Sequence, residues 1–138
     1  MDLYCGVGIF GSFLSDKFKK IIAVEHNRSS LKFARKNIKA SNTLFFDKSV
    51  EYLEKTHFGE SVQLILVNPP RTGLTNAVRQ FILRMAPKQL IYISCNAVTQ
   101  ARDLKTLTQG GYTISDCKLF DFYPQTAYVE SVIKLTSG

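Results

Sequence analysis

The chain is short of acid. Eleven Asp and Glu stand against eighteen Lys and Arg, giving a formal net charge of +7. That excess favours an anionic partner, nucleic acid first, with a small anionic ligand as the other reading. Cysteine is scarce: three residues, an odd number without framework spacing. A disulfide scaffold is thereby excluded, and a reducing cytoplasm is the expected compartment. No apolar run reaches the length of a membrane span, and the first residues lack the basic and apolar regions of a secretory leader, so no membrane association is expected. The two histidines, His26 and His57, have no evident partners and read as structural or surface residues; no metal is expected. Internal repeats, low-complexity tracts and linkers are also missing.

What remains is 138 residues, 45% of them hydrophobic, enough for one domain with a core of its own. Met1 runs at once into a strand stub and a glycine turn, with nothing ahead of them. The chain is therefore expected to be the C-terminal part of a longer protein.

Helical and strand-like patterns alternate along it. Residues 1–4 read as a strand stub, 9–18 as a helix, and Ile21-Ile22-Ala23-Val24 as a buried parallel strand. Asn27 or Ser29 is expected to cap a helix reaching residue 40, with Leu31, Ala34 and Ile38 on one face. A third strand is expected over 43–46, a short helix over 50–55, and a fourth strand over 62–67, stopped by Asn68-Pro69-Pro70. Helix 77–85, strand 89–94 and helix 98–109 follow, the last ended by Gly110-Gly111. Residues 112–122 and 128–135 read as two strands of a closing hairpin joined through Tyr123-Pro124-Gln125-Thr126. The expected fold is α/β and Rossmann-like: a mostly parallel sheet with a C-terminal antiparallel hairpin. In such sheets ligands gather at the carboxyl ends of the strands. That rule puts Gly6 and Gly8, Glu25, Asn68 and Cys95 on one rim.

The turn Gly6-Val7-Gly8-Ile9-Phe10-Gly11 matches G-x-G-x-x-G, with Glu25 beyond it to accept a ribose hydroxyl. It reads in two ways: a pyrophosphate turn of a dinucleotide fold, or the turn that receives S-adenosylmethionine. Asp2 favours the second, since an acid at the head of the turn suits a sulfonium cofactor carrying an amine. Asn68-Pro69-Pro70-Arg71 offers a rigidly held side chain that both donates and accepts. A similar Asn-Pro-Pro element serves enzymes that methylate exocyclic amines, which follow it with an aromatic residue; here Arg71 follows. Cys95 lies at a predicted strand end between the small polar residues Ser94 and Asn96, whereas Cys5 and Cys117 read as packing. Glu130, beside Tyr128, Val129 and Val132, reads as a carboxylate on a partly buried strand, costly there unless used.

Asp2-Leu3-Tyr4-Cys5-Gly6-Val7-Gly8, Asn68-Pro69-Pro70-Arg71, Tyr92-Ile93-Ser94-Cys95-Asn96 with Ala101-Arg102-Asp103-Leu104, Gly111-Tyr112, Phe122-Tyr123-Pro124-Gln125-Thr126 and Val129-Glu130-Ser131 together resemble the RNA uracil-5-methyltransferases. The resemblance covers the whole chain in motif order. It implies an S-adenosylmethionine-dependent catalytic domain over 1–138 and an rRNA or tRNA substrate. It also implies that Cys95 adds to carbon 6 of uracil, that the ring carbon 5 then attacks the cofactor methyl group, and that Glu130 removes the carbon 5 proton. By the same matching Tyr4, Gly6, Gly8, Glu25, Ser49 and Asn68 contact the cofactor and Arg71 the substrate, and the target base leaves its stack. The sequence departs from the family pattern at Asn68, where Asp is usual, at Ala97, where Pro is usual, and at Ile9, where a polar residue is common. The family's N-terminal RNA-binding region is not in this chain. The competing readings are an amine methyltransferase, a degenerate domain that binds RNA or a partner without catalysis, and a dehydrogenase resting on the glycine turn.

Overall fold

A computed structural model describes the chain except residues 56, 57, 59, 60, 123, 127 and 128, together with the side chains of 54 and 55. The readings of His57, Tyr123 and Tyr128 fall outside the described residues. The chain divides into two compact units, 1–56 and 57–138.

The first unit runs β1 (Asp2–Leu3), α1 (Ile9–Leu14), β2 (Ile21–Glu25), α2 (Arg28–Asn37), β3 (Thr43–Asp47) and a 3-10 turn, Val50–Lys55. Both β1 and β3 pair with β2 in parallel. All five residues of β2 are buried, as a central parallel strand covered on both faces requires. Asn27 caps α2 by accepting the Ser30 N–H, and Leu31, Ala34 and Ile38 bury against Cys5 and Ala23. The helix stops at Asn37, short of the expected residue 40, because Ile38 turns extended while its N–H still closes on the Ala34 carbonyl. Likewise α1 ends at Leu14 rather than Phe18: the Asn42 side chain donates to the carbonyls of Ser15 and Phe18 and holds that segment outside the helix.

The second unit runs β4 (Leu64–Val67), α3 (Asn76–Met85), β5 (Gln89–Ser94), α4 (Ala97–Gln109), β6 (Tyr112–Phe120) and β7 (Glu130–Ser137). Its strands lie in the order β4-β5-β7-β6, the first pair parallel and the other two antiparallel. The hairpin expected from the sequence is there, but its second strand enters between β5 and β6. That insertion gives β7 a partner on each side and leaves β6 as an edge with all but its first residue exposed. Cys117 stands on that edge, exposed, so the expectation that it packs is wrong. Phe81, Ile82, Leu90, Tyr92, Leu107 and Leu135 form the fully buried centre of the unit. Among the described residues no helix is long and apolar enough to cross a membrane.

Candidate active site

In the first unit the glycine turn leaves β1 and meets the carboxyl end of β2. Its three glycines answer three different needs. Gly6 has φ +54°, and a Cβ placed on it would meet open space. Gly8 has φ +83°, and its Cβ would stand 3.0 Å from the Ala34 Cα, so here glycine lets α2 approach the turn. At Gly11 a Cβ would stand 2.5 Å from the Ile38 Cδ1, again a packing need. Only Gly6 therefore leaves free room above the turn. Glu25, last in β2, ties the turn together: its carboxylate accepts the Gly6 N–H at 3.0 Å and the Asn27 N–H at 2.8 Å. His26 is not partnerless as expected, since its Nδ1 lies 3.2 Å from the same carboxylate. The Tyr4 hydroxyl donates to Glu51 at 3.2 Å, and the Ser49 hydroxyl donates to the other Glu51 oxygen. The structure thus brings two of the sequence-predicted cofactor residues together on Glu51, which the sequence reading passed over. Burial works to raise the Glu51 pKa, but the hydrogen bonds from Ser49, its own backbone and Tyr4, with the charge of His26, outweigh it and hold the carboxyl below its ordinary value.

Asp2 is the anomaly of this half. It is 3% exposed, and neither carboxylate oxygen has a hydrogen-bond partner among the described residues. Burial lifts its pKa from 3.8 to about 7; the nearby N-terminal charge and the Gly11 backbone, which stops short of hydrogen-bond geometry, pull the other way, and the charge of Glu25 adds to the rise. An acid raised in this way contributes stability that is complete below about pH 4 and is lost as pH rises to about 7. Glu51 has the opposite sign, its contribution being lost only as pH falls below the ordinary carboxylate range. Urea midpoints measured from pH 4 to 8 should therefore fall toward neutrality in the native protein. Asp2→Asn should flatten that slope, and an unchanged slope would show that Asp2 is not its source.

In the second unit Asn68 follows β4 and is exposed, while Pro69 behind it is buried. Cys95, half-buried, follows the last residue of β5, and Glu130, also half-buried, opens β7. Their relation is set by register. Ser94 pairs with Ser131 in the last step of this antiparallel ladder, and Cys95 and Glu130 are the residues that flank that pair. The Ser131 hydroxyl locks the step: it lies 3.0 Å from the Ser94 carbonyl and also reaches the Gln100 Oε1, sharing its one hydrogen between them. Gln100 Nε2 in turn donates to the Tyr92 carbonyl at 3.0 Å. Asn96 caps α4 through its Oδ1, and its Nδ2 donates to the Arg71 carbonyl at 3.1 Å. The sequence reading missed Gln100, Ser131 and, as shown below, Asp103. A signal was present: Gln100, Asp103 and Leu107 recur on one face of α4, and that face is buried.

A parallel α/β chain with a glycine turn at β1, an acid ending β2 and an antiparallel closing pair is the Rossmann-like fold of S-adenosylmethionine-dependent methyltransferases. The solved structures agree. The tRNA (uracil-54, C5)-methyltransferase of Pyrococcus abyssi, in complex with S-adenosyl-L-homocysteine, is 32% identical with a TM-score of 0.83, over 98% of this chain and 33% of that one. Fibrillarin of Aeropyrum pernix, with bound S-adenosyl-L-methionine, shares the fold at a TM-score of 0.78 and 17% identity, over 98% of this chain and 64% of that one.

The chain belongs to the tRNA (uracil-5-)-methyltransferase family, which it matches over residues 49–137; residues 1–92 also match the methyltransferase small domain. An uncharacterized RNA methyltransferase of Aquifex aeolicus is 41% identical over 98% of this chain and 32% of that protein. The 23S rRNA (uracil(747)-C(5))-methyltransferase RlmC of Xenorhabdus nematophila is 38% identical over 97% of this chain and 36% of that protein. The chain thus spans about a third of the length of the curated relatives it matches. The dehydrogenase reading of the glycine turn is set aside by these matches.

Proposed function

We propose that this chain is the catalytic part of an enzyme that moves a methyl group from S-adenosylmethionine to carbon 5 of a uridine in rRNA or tRNA. The observation that supports the reading is the Ser94–Ser131 pair, flanked by a thiol and a carboxylate in a chain of the uracil-5-methyltransferase family. Carbon 5 of uracil is a weak nucleophile. The Cys95 thiolate adds to carbon 6 and drives electrons onto carbon 5, which can then accept a methyl group. Glu130 takes the proton from carbon 5; the electron pair of that C–H bond restores the ring double bond and expels the thiolate.

The first unit fits the cofactor on two counts: the orphaned Asp2 carboxylate, and the open space over Gly6. Bound there, S-adenosylmethionine supplies an electrophilic methyl group. Asp2 would meet its amine, and Gly6 and Gly8 would shape the turn beneath it. Glu25 keeps acceptor capacity beyond the two backbone donors it already holds, enough for a ribose hydroxyl. Tyr4 and Ser49, through the ionised Glu51, would present polar groups beside it. Asn68 would lie toward the cofactor and Arg71 toward the RNA. The amine-methylating alternative has less behind it, because the family match over 49–137 contains Asn68-Pro69-Pro70 together with Cys95 and Glu130.

Fluorine at carbon 5 cannot leave as a proton. The intact protein mixed with S-adenosylmethionine and RNA carrying 5-fluorouridine should therefore hold the RNA on Cys95, with the methyl group transferred, and peptide mass spectrometry reads this directly. Bound cofactor without an adduct would favour amine methylation. A protein that binds no cofactor would be the degenerate domain.

A further inference from the structure

Asp103 is fully buried in the second unit, and five hydrogen-bond donors converge on it. The Leu74 N–H donates at 2.7 Å, Arg79 Nη1 at 2.7 Å, the Tyr92 hydroxyl at 2.7 Å, and Arg102 through Nε at 2.9 Å and Nη2 at 2.8 Å. The two arginines do more than neutralise it. Arg79 also donates to the Leu74 carbonyl at 2.6 Å, and Arg102 donates to the carbonyls of Thr72 at 3.0 Å and Leu74 at 3.3 Å. The Arg71 carbonyl accepts from Asn96 Nδ2 at 3.1 Å and from the Thr99 hydroxyl at 3.0 Å. The carbonyls of Arg71, Thr72 and Leu74 are therefore all held by side chains: Thr99 and Arg102 of α4, its cap Asn96, and Arg79 of α3. Gly73 completes the fit: at φ +74° it takes a conformation that suits glycine, and a Cβ there would stand 2.5 Å from an Asp103 oxygen. The grip is chemically unusual for a loop. Loops ordinarily satisfy their backbone with water, whereas this one is bound by charge-assisted bonds to a buried carboxylate and its two arginines.

The loop continues directly from Asn68-Pro69-Pro70, and α4 begins at Ala97, two residues after Cys95. We propose that Asp103 and Arg102 are positioning residues: they clamp the 71–74 loop to α4 so that Asn68 and Arg71 keep a fixed distance from the Cys95 thiol. This rests on the function proposed above, in which Asn68 lies toward the cofactor and Arg71 and Cys95 toward the RNA. Neither Asp103 nor Arg102 touches the reacting atoms in that scheme. Their effect is on approach geometry, where a misplacement of about 1 Å can slow a reaction about 100-fold.

Arg102 gives the cleaner test, since its side chain is 52% exposed and its removal need not unfold the core. Arg102→Ala in the intact protein should form the Cys95 adduct with 5-fluorouridine RNA about 10- to 100-fold more slowly at saturating RNA and cofactor. Its melting temperature should fall by less than that of Asp103→Ala, because Arg79, Tyr92 and the Leu74 N–H still hold the carboxylate. The rate at which iodoacetamide alkylates Cys95 should stay near the native value, because the thiol itself is unaltered. Arg102→Lys, which keeps the charge but loses the Nε bond to Asp103 and the planar fork that fixes the others, should fall between. Arg102 also lines a cavity of about 270 Å³ with Arg79 and residues 72–76, open enough for a small cation. Millimolar methylguanidine should therefore restore part of the Arg102→Ala rate. An adduct formed at the native rate by Arg102→Ala overturns the clamp and leaves the proposed reaction standing. Parallel loss of iodoacetamide reactivity also overturns it, since the defect would then lie in the thiol. A native protein that forms no adduct at all removes the reaction and the clamp together.

Discussion

Glu130→Gln should convert the enzyme into a trap for its natural substrate. In the proposed reaction Cys95 can still add to carbon 6, and carbon 5 can still take the methyl group, since neither step needs a base at position 130. What fails is the last step: with no carboxylate to remove the carbon 5 proton, the ring double bond is not restored and the thiolate is not expelled. Loss of a positioned general base costs about 10²- to 10⁴-fold. Unmodified uridine RNA should then accumulate on Cys95 and survive denaturing electrophoresis, while product release falls by that factor. Cys95→Ala should give neither adduct nor product. The two variants therefore separate in sign, one with covalent RNA and one without, although both lose turnover. Glu130→Gln that releases methylated RNA at the native rate would exclude Glu130 as the base. The expectation rests on position: Glu130 begins β7 one step from the Ser94–Ser131 pair.

That position was only half legible in the sequence. The elements were visible because each follows from local chemistry: Ile21-Ile22-Ala23-Val24 is too apolar for an edge, Asn27 is a ready cap, and Pro69-Pro70 cannot continue a ladder. The glycine turn and the strand-end Cys95 were visible for the same reason. Strand order was not. A hairpin pattern shows that β6 and β7 pair, yet says nothing of β7 entering beside β5, because that pairing joins residues about 40 apart in the chain and depends on which edge is free. The Ser94–Ser131 pair that Cys95 and Glu130 flank comes from this insertion, so the sequence offered the two residues and only the fold supplied the register next to them. Glu51 was overlooked because a lone acid in a short helix reads as solvated. In the structure it gathers the Tyr4 and Ser49 hydroxyls from separate turns. Asp103 was quoted within a motif but given no task. A carboxylate on the buried face of α4 is costly unless paired, and its partners come from α3, β5 and the loop before α3, which no local pattern links.

Asp103→Ala should be among the most destabilising single substitutions in the chain. Removing one member of a buried ion network costs about 3–5 kcal/mol, because the partners left behind stay desolvated. Here those partners are Arg79, whose side chain is only 15% exposed, the buried Tyr92 hydroxyl and the Leu74 N–H. Tyr92 cannot relieve the loss by ionising: burial, with the hydrogen bond to Asp103 second, holds its pKa well above the ordinary value, so it remains a donor. The Arg79 Nε already has no partner among the described residues, and the network has no spare acceptor to offer the others. Against a typical domain stability of about 5–15 kcal/mol, a loss of that size brings the protein close to unfolding. Asp103→Asn keeps one acceptor oxygen and nearly the same volume, so it should lose less, by about 1–3 kcal/mol relative to Ala. Urea denaturation of the native protein and both variants at one pH gives the order directly. Should Asp103→Ala unfold at the native midpoint, the network contributes nothing net: burying the carboxylate would then cost as much as its five bonds return, and the convergence of donors on it would matter for loop geometry alone.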